Sequence, residues 1–210
     1  MEKPNITNLF PIPVLTFQYG DISNDEFETV KEYLQYLRPS QFNYLTDENY
    51  ILDKGLPEIR KFIQESIDFY AKEIVIGDDY TDDDLDFRIT QSWISVTPPK
   101  SLGHHRHVHP NSLISGVFYI KTNPQVDKIE FINGREESES IRVGLKKFNN
   151  YNSGIWYLPV RNGQLFLFPS NLPHRVPPVQ GTEDRISLAF NVFPYGKLGS
   201  RIDLTEVHVY

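Results

Sequence analysis

The sequence predicts a mainly-β sandwich or barrel with an N-terminal layer of helices, on three observations. Helical periodicity is confined to residues before Gly77, and from Phe87 onward the apolar residues fall in short strand-length runs. Those runs are separated by Gly, Pro and Asn turns, as in all-β folds. Helices and strands do not alternate along the chain, which argues against a parallel, doubly wound sheet.

Taken in order, residues 8–19 read as an edge strand, because Pro11 and Pro13 cannot donate to a central ladder. Ser23 and Glu26 have capping-box spacing, and Phe27, Val30, Leu34 and Leu37 follow at helical spacing up to Pro39. A second helix starts near Pro57, carries Ile59, Phe62, Ile63, Ile67, Tyr70 and Ile74 on one face, and stops at Gly77. Asp78–Asp86 holds six aspartates and reads as a solvated loop; it lacks the Gly and the final Glu of a Ca²⁺ loop. Strands are expected at 87–97, 113–121, 128–133, 140–148, 155–158, 164–168 and 185–193. At 210 residues one domain is expected, with 1–86 as edge strand and supporting helices, 87–195 as the strand core and 196–210 as a C-terminal tail.

Composition narrows the chemistry. Twelve Tyr and fourteen Phe within 39% apolar residues provide for a packed aromatic interior. No run of about 18 apolar residues and no signal-peptide pattern is present, so no membrane association is expected and the cytoplasm is the expected compartment. With no cysteine, any metal must be held by His, Asp or Glu. The net charge of −7 and the lack of a Lys/Arg block disfavour a nucleic-acid partner. Charge is uneven, however: residues 101–210 carry 9 acidic against 12 basic side chains, a balance that can accept a small anion.

Of the six histidines, His104, His105, His107 and His109 lie within a few residues of one another, just before the strand run beginning near Leu113. Two histidines one residue apart, such as His107 and His109, project to the same side of an extended backbone and can share a metal ion. A third ligand can come from His174, at the end of the Phe166–Phe168 run. Eleven residues later, alternation puts Arg185, Ser187, Ala189 and Asn191 on one face of a strand and Ile186, Leu188, Phe190 and Val192 on the other. An inward Arg185 would take a carboxylate bidentately, with Ser187 as a further donor.

Three stretches in this order, His107-Val108-His109-Pro110-Asn111-Ser112-Leu113-Ile114-Ser115-Gly116, Phe168-Pro169-Ser170-Asn171-Leu172-Pro173-His174 and Arg185-Ile186-Ser187, resemble the Fe(II)- and 2-oxoglutarate-dependent oxygenases. Within that superfamily the chain is most similar to uncharacterised bacterial and phage proteins related to prolyl 4-hydroxylases. The resemblance runs from about Trp93 to Phe193 and implies a double-stranded β-helix, the jelly-roll or cupin-like fold. It also implies His107, His109 and His174 as metal ligands, Arg185 with Ser187 as the clamp on the far carboxylate of 2-oxoglutarate, and Tyr119 in the same pocket. The cofactors it implies are Fe(II), 2-oxoglutarate and O₂, and the reaction is hydroxylation of an aliphatic C–H with release of succinate and CO₂.

The wider family usually has a carboxylate where this chain has His109. Either the site uses three histidines, or a carboxylate such as Glu130 supplies a ligand, or His105 pairs with His107. A three-histidine Zn²⁺ hydrolase or hydratase also accounts for the histidines but gives Arg185 no role, and a non-catalytic jelly-roll binding module would have no affinity for 2-oxoglutarate. The expected substrate is a small molecule or a protein or peptide side chain, approached over Pro98–Arg106 and Glu136–Ile155. The oligomeric state, a homodimer included, is left open.

Overall fold

The computed structural model describes residues 4–77, 85–134 and 144–210. The N-terminal part contains β1 (Leu15–Gln18), α1 (Asn24–Tyr33), β2 (Leu37–Pro39), β3 (Tyr44–Thr46) and α2 (Pro57–Tyr70). The remainder contains β4 (Leu85–Thr97), β5 (His104–His107), β6 (Ile114–Lys121), β7 (Lys128–Ile132), β8 (Ile155–Pro159), β9 (Gln164–Pro169), β10 (His174–Val176), β11 (Arg185–Leu198) and β12 (Val207–Val209). The strands form a larger sheet in the order β1-β9-β6-β11-β4-β3-β2, with β12 added to β11, and a smaller sheet in the order β5-β10-β7-β8. This is the expected jelly roll. No helix among the described residues is long and apolar enough to cross a membrane.

The larger sheet is apolar on both faces, and alternation divides its side chains between two cores. Ile114, Phe118, Ile120, Leu165, Leu167, Ile186, Leu188, Phe190 and Val192 pack with Val30, Ile59, Ile63 and Ile67 of the helices. Tyr119, Phe166 and Phe168 point the other way, into a second core with Ile129 and Phe131 of the smaller sheet. In β11 the residues between those apolar positions, Arg185, Ser187, Ala189 and Asn191, therefore face into the space between the sheets. Their partners across β4 are Thr97, Ser95, Trp93 and Gln91.

The helices differ from the sequence expectation in two instructive ways. Ser23 caps α1 by accepting from the backbone of Glu26 at 3.3 Å and donates its hydroxyl to Oε2 of Glu26 at 3.3 Å, but the other oxygen of the Glu26 carboxylate serves the other helix. Its Oε1 accepts from the backbone N–H groups of Glu58 (3.1 Å) and Ile59 (2.9 Å), satisfying the exposed donors in the first turn of α2. Second, α1 stops at Tyr33 instead of continuing to Leu37, because Leu37–Pro39 pairs with Tyr44–Thr46 at the rim of the larger sheet. The helix after Pro57 does extend as expected, passing into a π-helical turn at Ala71–Ile76 and ending at Gly77, whose φ is +93°.

Among the strands, the N-terminal edge strand is shorter than 8–19, and β11 continues five residues beyond the expected end at 193. The strand expected at 140–148 is not formed by 144–148, where Lys146 and Lys147 lie in a bend; 140–143, like most of the aspartate run, lie outside the described residues. In the expected C-terminal tail, β12 pairs with Gly196–Leu198.

Close packing makes one residue of the cluster motif obligatory. A Cβ at Gly116 would fall 2.0 Å from Cζ of Phe190, so the β6 backbone lies directly on that ring. Replacing Gly116 with Ala should destabilise the protein by about 1–3 kcal/mol through overpacking. The check is the urea midpoint at constant m-value; an unchanged midpoint would show that Phe190 moves aside freely.

Candidate active site

The site forms where β5 and β10 pair at the edge of the smaller sheet. His107 and His174 are cross-strand partners in that pairing. His109 lies just beyond β5, where its backbone N–H donates to the Ser170 carbonyl at 2.9 Å. Pro110 and Asn111, the latter at φ 56°, then turn the chain back into β6. One potential ligand atom from each of His107, His109 and His174 lies within 4.8 Å of the others. The rings are 4.3 Å (His107 to His174), 5.0 Å (His109 to His174) and 5.1 Å (His107 to His109) apart between centroids.

Each ring has its Nδ1 against an oxygen. The His107 Nδ1 lies 2.8 Å from the His105 carbonyl, and the His174 Nδ1 lies 2.9 Å from the Leu172 carbonyl. A carbonyl can only accept, so Nδ1 of both rings carries the proton and Nε2 keeps its lone pair. The His109 Nδ1 lies 2.6 Å from Oδ1 of Asn191 and 2.9 Å from Oγ of Ser115. Burial holds all three imidazoles below their ordinary pKa, and His174 is pushed down to about 3, its neighbour His107 adding to the effect. Phe168 stands edge-on to His174 at 4.7 Å, and Trp93 lies 6.1 Å from His109. The outcome is three neutral nitrogen donors at one point, suited to a borderline divalent metal.

Deeper between the sheets lies a cation with no counter-ion among the described residues. Arg185 is 3% exposed, and its Nη1 donates to the Lys128 carbonyl at 3.2 Å. Among the described residues its Nε is buried without a partner, as is the hydroxyl of Tyr119. The guanidinium lies 5.7 Å from the Tyr119 ring centre, and Ser187 is paired across the ladder with Tyr119. Burial pushes the Tyr119 phenol up to about 12, so it stays a donor. A buried charge without a counter-ion costs several kcal/mol, roughly, and a ligand carboxylate would remove that cost.

Arg185, Ser187 and Tyr119 thus face the space between the sheets, and His107, His109 and His174 gather at its β5–β10 edge; the charge of Arg185 is felt at His104, whose ring packs on His107. The other candidates lie elsewhere or do other work. Glu130 is bound to Arg175 at 2.8 Å and approached by Lys128 at 3.5 Å, an ion-pair cluster that occupies its carboxylate. His105 is exposed and its ring stacks on His104. His104 was not singled out from the sequence, yet it packs on His107 with centroids 4.4 Å apart. Its Nδ1 faces the amide of Asn43, which also donates to Ser95 at 2.8 Å, and burial lowers its pKa to about 4. Asn191 was also missed as a contributor. The signal available was its place on the inward face of β11, in phase with Arg185.

Residues 91–191 match the model of a family described as putative 2OG-Fe(II) oxygenase. No curated protein matches the chain. Among solved structures it is similar to HygX from Streptomyces hygroscopicus with nickel, 2-oxoglutarate and hygromycin B bound, at 12% identity and a TM-score of 0.56, over 95% of this chain and 92% of that one. It is also similar to a Pseudomonas putida prolyl-4-hydroxylase, at 13% identity and a TM-score of 0.51, over 86% and 92% of the two chains. A third is a Trichoplax adhaerens prolyl hydroxylase in complex with a hypoxia inducible factor peptide fragment, at 15% identity and a TM-score of 0.52, over 86% and 83%. At these identities the likeness establishes the fold.

The neutral histidines, His174 buried and His107 and His109 half-buried, make the stability of the metal-free protein depend on pH. Their folded pKa values lie below the unfolded value near 6.5, so the unfolded chain takes up protons first as pH falls. Stability should be complete above about pH 6.5 and decline below it, by about 1.4 kcal/mol per pH unit for a fully buried ring such as His174. Comparing urea midpoints at pH 7.5 and 5.0, a His174→Leu variant should show a shallower decline than wild type. Equal slopes would mean that His174 is not held neutral.

Proposed function

We propose, on the premise that residues 91–191 belong to the 2OG-Fe(II) oxygenase superfamily, that this chain hydroxylates an aliphatic C–H of its substrate and converts 2-oxoglutarate to succinate and CO₂. The observation that carries the reading is the cluster of three neutral imidazoles on one side of the jelly roll together with a buried, inward-facing arginine that has no counter-ion among the described residues. His107, His109 and His174 are the residues that would hold Fe(II), and their donor set fits it: three nitrogen donors on one side leave positions open to other ligands. With 2-oxoglutarate and O₂, the iron supplies the oxidising power for attack on an unactivated C–H bond.

The remaining work belongs to the protein. Arg185 binds the far carboxylate of the cosubstrate, and the Ser187 and Tyr119 hydroxyls donate to the same end, so each unsatisfied polar atom of the pocket gains a partner. Held at that end, the cosubstrate is oriented toward the histidines before reaction, an entropic contribution to rate. Phe131, Phe166 and Phe168 line the neighbouring core and keep water from that side. The three ligands are neutral, so the cosubstrate's negative charge is the chief compensation for a divalent ion there.

The substrate side is the open edge by β5. Residues 98–106 lead straight into His107, and the connection from β7 to β8 returns beside His174. Asn133 bonds to the Gly154 carbonyl at 2.7 Å, while its neighbour Ile132 bonds to the Pro173 carbonyl at 2.8 Å. The described part of that connection exposes Phe148 and Tyr151, which favours a small molecule or a protein or peptide side chain over nucleic acid as substrate. Residues 136–143 of the expected approach segment Glu136–Ile155 lie outside the described residues.

Two substitutions test the reading through 2-oxoglutarate consumption with added Fe(II), measured without a prime substrate. Arg185→Ala should weaken cosubstrate binding by about 2–5 kcal/mol while metal binding is largely kept. His174→Ala should lose metal binding and turnover together. Zn²⁺-dependent hydrolytic activity with no 2-oxoglutarate affinity in the wild type would replace this reading with a hydrolase.

A further inference from the structure

Two of the three imidazoles have their protonation pattern dictated by backbone carbonyls. His109 does not: both groups beside its Nδ1 are side chains that can either donate or accept. The Asn191 amide presents oxygen or nitrogen depending on which way it is turned, and a serine hydroxyl can point either way. If either presented a hydrogen, Nδ1 would hold the lone pair and Nε2–H would point into the site. The hydrogen-bond chains around these groups resolve the choice.

Ser170 donates to Ser112 at 2.8 Å, and Ser112 donates to the Ile114 carbonyl at 2.9 Å, where the chain ends. With its hydrogen committed, the Ser170 oxygen accepts from Ser115 at 2.8 Å. Ser115 therefore turns its hydrogen away from His109 and offers lone pairs at 2.9 Å. On the other side, Oδ1 of Asn191 lies 3.3 Å from the Ser115 hydroxyl, which shares its hydrogen between Ser170 and this oxygen, and faces His109 at 2.6 Å, while Nδ2 donates to Oε1 of Gln91 at 3.3 Å. Ser115, Ser170 and Asn191 are all buried, at 0%, 1% and 8% exposure, so water does not readily substitute for these partners. Both neighbours of Nδ1 are thus acceptors.

We infer that Asn191 is a positioning residue: with Ser115 it pins His109 in the Nδ1–H form, so that Nε2 offers its lone pair beside His107 and His174. This rests on the reading of the three histidines as metal ligands and adds the residue that makes the third one competent. It also gives a role to the serines in the His-Pro-Asn-Ser, Ser-Gly and Pro-Ser-Asn segments and to the Asn six residues after Arg185, none of which touches the metal position itself. A neutral amide does here what a carboxylate does in carboxylate–histidine–metal arrangements, without adding charge.

The experiment compares wild type, Asn191→Leu and Asn191→Asp as metal-free protein. Long-range ¹H–¹⁵N spectra should show His109 as the Nδ1–H tautomer in wild type and Asn191→Asp, and a shift toward Nε2–H in Asn191→Leu. Titration with Co(II), read by its visible ligand-field bands, should give affinity about 10–100-fold weaker for Asn191→Leu and at least wild-type affinity for Asn191→Asp. Asn191→Asp keeps an oxygen at the same place, so its rescue separates positioning from loss of packing. An Nε2–H tautomer in wild type overturns the inference whatever the metal does. Equal Co(II) affinity in wild type and Asn191→Leu, or Asn191→Asp as weak as Asn191→Leu, overturns it while leaving the metal reading intact. Wild type that gives no ligand-field bands removes the metal reading and this inference with it.

Discussion

β11 has one apolar face to give to a core, and it gives that face to the helices. Ile186, Leu188, Phe190 and Val192 are each less than a tenth exposed against α1 and α2, and backbone alternation then leaves Arg185, Ser187 and Asn191 no place except the interior between the sheets. The register is secured on both sides, by β4 and β6, and a slip of one residue would turn the polar set onto the helices. The helical layer is therefore more than a lid on the sheet. By burying one face of β11 it forces the charged end of the site inward, and the Glu26 cap on α2 ties the two helices that do so.

The electrostatics of the interior follow from what is absent from it. His107, His109 and His174 are neutral, and Arg185 has no carboxylate within ion-pair distance among the described residues. Glu130, close in sequence to the strand that opens the site, is instead engaged by Arg175 and Lys128. Positive charge is left at the arginine and lone pairs at the histidines. Such a space rewards an anion long enough to reach both, and a carboxylate ligand in the place of His109 would have weakened that preference.

Much of this was legible in the residues. Histidine spacing, the inward phase of Arg185 and Ser187, and the two amphipathic helices were all periodicity arguments, and periodicity survives tertiary packing when both faces of an element have fixed partners. Elements of three or four residues escaped. β2, β3, β5, β10 and β12 are too short to show a period, and β5 is made almost wholly of histidine, which has no strand signature. His104 and Asn191 were hidden for another reason. Their roles depend on contacts with residues 61 and 82 positions away, Asn43 and His109, and no local pattern reports a distance of that kind. Glu26 shows the converse: a capping signature was correctly placed, but its carboxylate found a better partner in a different helix.

Among the described residues β5 is a short outer strand paired only with β10, and it carries His107; His174 sits on β10 itself, while His109 is tied through Asn191 and Ser115 to the opposite sheet. An ion shared by these rings would join the weakest margin of the smaller sheet to the centre of the larger one. Ligation then becomes a thermodynamic staple: at a free ion concentration of 100 times Kd, mass action adds about 2.7 kcal/mol to the folded state. Without the ion that margin would be easier to open, and proteases would reach the chain there first.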